Sequence, residues 1–383
     1  MIELQPNDAE RAVWEKAAQY ADTVLAGRAA AHDAGKFPEE SVADLAKLGL
    51  LGIKSPVEYG GLGCSMVAYV GAMRAVARRC ASTAVTMAVT NMVGDMIALF
   101  GNEAQKNTRL RALCGGDYGA GAFALSEPAF GSDAAGLQCK AVRTDDGSAY
   151  VLDGSKMWIT SGDRAGIALV MARTSDASKA GGITAFLVDP KLPGFGVGRA
   201  EKKMGLRGST TVALHFEGMR VPASDVLGSE GMGFKVAMTA LDGGRCGIGA
   251  QAVGIAEAAL QAAVQASAKR RKADKTAGTD QLSGFRIADM ATRLDAAWLL
   301  VLRASSMLDA GKRATREAAM AKVYATEAAN FVAQKAAEMA GPEQLRDDSI
   351  VGRALRDVRV SRIYEGTSEI QRLVIGRELV RAL

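Results

Sequence analysis

Apolar residues along this chain keep a helical rhythm, lose it near residue 120, and regain it near residue 232. In the first zone, residues 37–52 place apolar side chains at helical spacing. Pro38, Glu39 and Glu40 sit at the N-terminal end, and Gly49 and Gly52 stop the run. Residues 65–80 and 82–101 read as two further apolar helices, the second with so little polar surface that deep burial is expected. The middle zone alternates. Residues 150–160 read as two short strands about a turn at Asp153–Gly154, and 165–174, 182–190 and 210–222 are β-rich runs between Gly and Pro. In the last zone, residues 250–272, 285–311 and 315–341 are long amphipathic helices that suit a four-helix bundle. The order predicts an α+β chain: a helical N-terminal domain over 1–120, a central antiparallel β-barrel or sandwich of roughly seven strands over 121–231, and a C-terminal bundle over 232–383.

Composition narrows the chemistry. The chain has 383 residues, 49% of them hydrophobic, enough for a large core. A formal charge of +5 suits an acidic small molecule or an acidic partner protein. It does not argue for nucleic acid: Lys269, Arg270, Arg271 and Lys272 form the one dense basic cluster, without interleaved aromatics, and read as a solvated helix end. The five cysteines are scattered, with no CxxC, as expected of free thiols in a reducing compartment. The N-terminal residues lack a basic region followed by an apolar core, and no apolar run is read as spanning a membrane, so a soluble cytoplasmic protein is expected. Two histidines, His32 and His215, leave little room for Ser-His-Asp chemistry or a zinc site. Acid–base work would then rest on a carboxylate, Lys, Tyr or Cys.

Several short stretches have both a bland and a chemical reading. Gly60–Gly63 follows no strand and reads as a tight loop rather than a dinucleotide fingerprint. Residues 123–136 set Ser126, Ser132 and several glycines beside the first strand, as an ordinary connection or as a wrap for a polar ring edge or phosphate. Trp158 and Thr160 share a strand; a buried structural Trp and a ring-stacking Trp stand at even odds. Asp242 and Arg245 are read at a helix N-terminus, where the carboxylate is a natural cap and the cation is a misfit that favours a ligand-facing role. Glu365 stands directly before Gly366 at a break between two helices.

Together, the segments 44–63, 123–133, 154–162, 202–211, 241–256 and 362–379 resemble the acyl-CoA dehydrogenase family of flavoproteins, in order, in register and over nearly the whole chain. The resemblance implies abstraction of the proton α to a CoA thioester, transfer of the β-hydride to N5 of FAD, and release of a trans-2-enoyl thioester. It implies Glu365 as the base; in some relatives the base lies instead at the position of Gly244, which cannot serve. The thioester oxygen would accept bonds from the Glu365 N–H and a flavin ribityl hydroxyl. It places Phe123, Leu125 and Ser126 at the flavin's pyrimidine edge, Ser132 near the cofactor or CoA phosphates, Trp158 against the flavin, Thr160 near N5, and Thr367 and Glu369 on the phosphate and ribose side of FAD. Arg270, Gln281 and Gly341 fall among further FAD contacts, and Asp242, Arg245, Tyr364 and Gly366 among substrate contacts.

Two departures stand out. The arm that reaches a neighbour's FAD keeps Arg270 but has Ala273 and Asp274 in place of an aromatic and a glycine. A glycine-rich turn is replaced by Glu338, Gly341, Pro342, Glu343 and Gln344. A carboxylate there would repel a pyrophosphate, so weakened adenosine contacts are expected. Residues 83–96 are expected to contribute to the acyl pocket; they hold no arginine, which disfavours a substrate with a second carboxylate. The resemblance also implies an electron-transfer flavoprotein as acceptor and a homotetramer or homodimer. Two rivals are a dehydrogenase of carrier-bound acyl groups and a non-catalytic flavin-binding interaction protein.

Overall fold

The structure is a computed structural model that describes residues 5–177, 179–273 and 281–381; Asp274 lies outside them. Helix α1 (Asp8–Tyr20) starts on a capping box in which the Asn7 side chain accepts from the Glu10 N–H and Glu10 reaches back to Asn7. A π turn at Ala21–Leu25 carries it into α2 (Ala26–Asp33). Then come α3 (Glu39–Lys47), α4 (Met66–Arg79), α5 (Ala81–Phe100) and the short α6 (Glu103–Gln105) and α7 (Arg111–Gly115). As its composition predicts, α5 is buried along most of its length.

Strands β1 (Ala120–Ala124), β2 (Lys140–Arg143), β3 (Ala149–Thr160), β4 (Ala165–Arg173), β5 (Ile183–Val188), β6 (Phe195–Val197) and β7 (Thr211–Pro222) form one sheet. Its order is β1-β4-β2-β3-β7-β6, with β5 on β4. Seven strands were expected, but an antiparallel barrel was not the outcome. β4 runs parallel to β1 and β2, the sheet is mixed, and its edges do not close on each other. The β1 side is instead covered by α5, where Thr90 Oγ1 accepts from the Gly121 N–H at 3.2 Å.

The expected turn at Asp153–Gly154 is also absent. β3 runs straight through it with a register shift against β7. Gly154 takes φ 143°, and a Cβ there would lie 2.8 Å from the Cys139 Cα, so the glycine serves close strand approach rather than a hairpin.

The C-terminal part comprises α8 (Gly233–Ala273), α9 (Gln281–Asp309), α10 (Thr315–Ala340), α11 (Ile350–Ser361) and α12 (Ser368–Arg381). α8 packs against α4, α5, α9, α10 and α11, so one Ala- and Gly-rich rod joins the N-terminal helices to the bundle. It starts at Gly233, which places Asp242 and Arg245 in its interior and removes the helix-terminus argument made for them. Two helices, Ala81–Phe100 and Gly233–Ala273, are long and apolar enough to cross a membrane by length and composition, contrary to expectation. Their most apolar windows are 78% and 67% buried against the rest of the protein, which marks both as core helices.

Candidate active site

α11 ends at Ser361 and α12 begins at Ser368 because two consecutive residues leave the helical region: Glu365 has φ 55° and Gly366 φ 89°. Glycine adopts that conformation freely, whereas a glutamate does so at a cost of about 1–3 kcal/mol. The cost is met by groups that fix the break. Gln371 Nε2 donates to the carbonyls of Glu365 and Gly366, both at 2.9 Å. Lys322, fully buried on α10, donates from Nζ to the Gly366 carbonyl at 2.7 Å. The Tyr364 hydroxyl donates to Gln251 Oε1 on α8, and Gln251 Nε2 donates to the Ala81 carbonyl at 3.0 Å.

Glu365 itself is treated differently. Its Oε2 is sealed from solvent and has no hydrogen-bond partner among the described residues. Burial pushes the carboxyl up to about 7, against the opposing pull of Arg245 and Lys322. Lys322 is pulled down to about 8, first by its own burial, with Glu365 opposing. Arg245 is buried; its Nη1 lies 2.6 Å from Asp242 Oδ1, Thr315 Oγ1 donates to Asp242 Oδ2 at 2.8 Å, and Arg245 Nε has no partner among the described residues. Across from the carboxylate is Gly244, where an added Cβ would lie 2.6 Å from Glu365 Oε2 and 2.7 Å from Met92 Cε. Gly244 and the Glu365 carboxylate are thus direct neighbours.

A second constellation lies on the sheet. Lys156, fully buried on β3, donates from Nζ to Glu127 Oε1 at 2.8 Å and to the Leu125 carbonyl at 3.2 Å. Glu127 also accepts from the N–H groups of Gln138 and Cys139, at 2.7 and 2.9 Å, and the Met157 N–H bonds to the Ser126 carbonyl at 2.9 Å. The end of β1 with Phe123, and the segment after it with Leu125 and Ser126, are therefore stitched to β3 beside Trp158. Trp158 is no buried structural residue: it is 60% exposed, with φ 62°, at the register shift between Lys156 and Ile159. Thr160 pairs with Thr211, and the buried Ser161 has φ 57° and an Oγ without a partner among the described residues. An exposed flat ring, a pinned polar backbone edge and an orphaned hydroxyl suit a planar heterocycle such as a flavin.

The remaining expected residues spread out. Thr367 Oγ1 accepts from the Ile370 N–H at 3.3 Å at the start of α12, Glu369 is exposed, and Ser132 lies on an exposed loop. Arg270 and Gln281 are exposed, and Arg270 Nη1 donates to the Met339 carbonyl at 2.7 Å beside Gly341. At 1.5 Å per residue, roughly 40 Å of α8 separates Arg270 from Gly244, so the fold does not bring Arg270 and Glu365 into one site within a chain. Glu338 is paired with Lys335 Nζ at 2.8 Å and Arg286 at 3.8 Å, so its charge is offset locally, against the expected bare repulsion of a pyrophosphate. Residues 83–96 contain no arginine, but a cation reaches them from elsewhere: Lys54 Nζ lies 2.6 Å from Asp95 Oδ2. Sequence reading missed Lys54, Lys322, Gln371, Lys156 and Glu127. Only Lys322 carried a signal, as a lysine in the Ala-rich face of a long helix.

Comparison with known proteins agrees along the whole chain. Family models of the acyl-CoA dehydrogenase N-terminal, middle and C-terminal domains match residues 7–117, 122–219 and 231–380. The human mitochondrial short-chain specific acyl-CoA dehydrogenase is 43% identical over 347 residues, 90% of this chain and 84% of its own. Butyryl-CoA dehydrogenase from Megasphaera elsdenii superposes with a TM-score of 0.95 at 38% identity, over 98% of this chain and 99% of that one. A chain from the structure of the electron transferring flavoprotein of Acidaminococcus fermentans does so with a TM-score of 0.95 at 36% identity, over 99% of this chain and all of that one. The chain therefore belongs to the acyl-CoA dehydrogenase family and is an FAD-dependent oxidoreductase.

Proposed function

We propose that this enzyme oxidises a short acyl-CoA to its trans-2-enoyl thioester, with Glu365 as the base. The observation that carries the reading is the Glu365 carboxyl group itself: Oε2 is sealed and unpartnered among the described residues, and burial pushes the group up to about 7. A general base works best with a pKa near the operating pH, and burial beside two cations tunes it there. The α C–H bond breaks and its proton goes to Glu365; the β C–H bond breaks with its electron pair; a C=C bond forms between the two carbons. Bound FAD supplies the two-electron acceptor for that hydride. The Glu365 N–H, engaged by no acceptor among the described residues, is the protein's donor to the thioester oxygen as negative charge develops there.

Leu125, Ser126 and Trp158 hold the flavin ring, with Phe123 and Thr160 beside it. Arg270, Gln281 and Gly341 serve the FAD of a neighbouring subunit in a homotetramer or homodimer, in keeping with the length of α8 that separates Arg270 from Gly244. An electron-transfer flavoprotein takes the electrons onward. The short chain length follows the relatives, one short-chain specific and one a butyryl-CoA dehydrogenase.

The test is anaerobic mixing of the yellow enzyme with butyryl-CoA and with the same acyl group on a carrier protein. Bleaching by butyryl-CoA, lost in Glu365→Gln with flavin and thioester binding kept, is the expected result. Near wild-type bleaching by Glu365→Gln would overturn the assignment of the base. Preference for the carrier-bound substrate would move the enzyme to the carrier-linked reading.

A further inference from the structure

Gly243 and Gly244 present a bare stretch of α8. On the Gly244 side stand Glu365 and Met92. On the Gly243 side, an added Cβ would lie 3.2 Å from Met66 Cε and 3.9 Å from Lys54 Nζ. Adjacent residues of a helix point about 100° apart, so Glu365 and Lys54 stand on neighbouring flanks of α8, one on either side of this glycine pair. Lys54 is held by Asp95 of α5 at 2.6 Å and lies 5.5 Å from the centre of the Tyr69 ring. The Tyr69 hydroxyl in turn abuts Gly247, one turn further along α8, where an added Cβ would lie 2.6 Å from it. Neither member of the pair is fully sealed: the side chains keep 21% and 13% of their surface. Burial pushes the Asp95 carboxyl up, and Lys54 opposes the rise.

We propose that the Lys54–Asp95 pair is the polar end wall of the acyl pocket, so that the preferred substrate is a short acyl thioester ending in a neutral group that both donates and accepts hydrogen bonds, a hydroxyl or a carboxamide. The proposal rests on Glu365 as the base, because that residue fixes where the α carbon lies. An alkyl terminus laid over the pair strips its remaining hydration and returns no hydrogen bond. A terminal carboxylate gains from Lys54 but faces Asp95, and a terminal ammonium has the reverse problem. A hydroxyl accepts from the Lys54 ammonium and donates to the Asp95 carboxylate without adding charge. Met66 and Met92 supply the apolar surface for the carbons between.

The test compares three thioesters of similar size by flavin bleaching and kcat/KM: 4-hydroxybutyryl-, pentanoyl- and succinyl-CoA, with butyryl-CoA as reference. The expected result is a preference of roughly tenfold or more for the hydroxyl over both others, inverted toward pentanoyl-CoA in Lys54→Met/Asp95→Leu. Bleaching by butyryl-CoA with pentanoyl- or succinyl-CoA equal to or better than 4-hydroxybutyryl-CoA overturns this inference and leaves the dehydrogenase reading intact. So does a preference unchanged in the folded double variant. No bleaching by any thioester, butyryl-CoA included, overturns both. Should the double variant not fold, the wild-type ratios decide.

Discussion

Glu127 and the Oε2 end of Glu365 are both withdrawn from water, and their surroundings differ in one respect that fits the first to a scaffold and the second to the proposed chemistry. Glu127 has a lysine ammonium and two backbone N–H groups on its oxygens. Glu365 has cations nearby but an empty Oε2, and its carboxyl is pushed up to about 7. A buried carboxylate with its bonds made holds parts together; one left short of partners keeps a proton-accepting site in reserve. Lys156 and Lys322 repeat the contrast, since one ties down a carboxylate and the other a backbone carbonyl beside a carboxylate left free.

The largest expected effect breaks the reactive half. Glu365→Gln should lower turnover by about 10²- to 10⁴-fold or more while keeping the flavin. Breaking the scaffold half should do the opposite in kind. Lys156→Met leaves Glu127 buried without its counter-ion, which costs about 3–5 kcal/mol. Its expected signature is a lower melting temperature and loss of FAD on dialysis, both read by flavin fluorescence during a thermal ramp. An unchanged melting temperature would show that the two N–H bonds suffice for Glu127.

Lys322→Met sharpens the comparison further. Removing a cation from beside Glu365 favours the protonated carboxyl, so the acid limb of the pH–kcat/KM profile should move to higher pH. A limb displaced by about one pH unit lowers the rate on its acid side by up to about tenfold. A merely structural role would lower the rate at every pH without moving the limb. A separate effect concerns stability. A carboxyl raised from about 4.3 in the unfolded chain to about 7 in the fold makes the native state bind more protons between those values. Its stabilising share is complete below the unfolded value and is lost as pH rises through 7. Glu365→Gln, permanently neutral, should therefore melt above wild type at pH 8, with the gap closing toward pH 4.5.

Much of this was legible in the chain. The period changes near residues 120 and 232 mark where helices give way to strands and return, and the Glu365–Gly366 break was visible as a carboxylate before a glycine. Sheet direction was not, because parallel pairing of β1 and β2 with β4 depends on crossovers that local alternation does not encode. Nor was the continuity of α8 through Asp242–Arg245, since Gly243 and Gly244, two consecutive poor helix formers, read as a helix start rather than a helix interior. The supporting charges escaped for a related reason. Lys54 and Asp95, Lys156 and Glu127, Lys322 and Gly366 are far apart in sequence, and each looks like an ordinary surface residue until the fold buries it.

The contact between Gly244 and Glu365 bears on how such an enzyme could change over generations. A methyl group at position 244 would lie 2.6 Å from Glu365 Oε2 and 2.7 Å from Met92 Cε, the far ends of two flexible side chains, so any side chain gained there displaces the carboxylate first. With Glu365 as the proposed base, moving that role to α8 begins by disturbing the residue that already holds it.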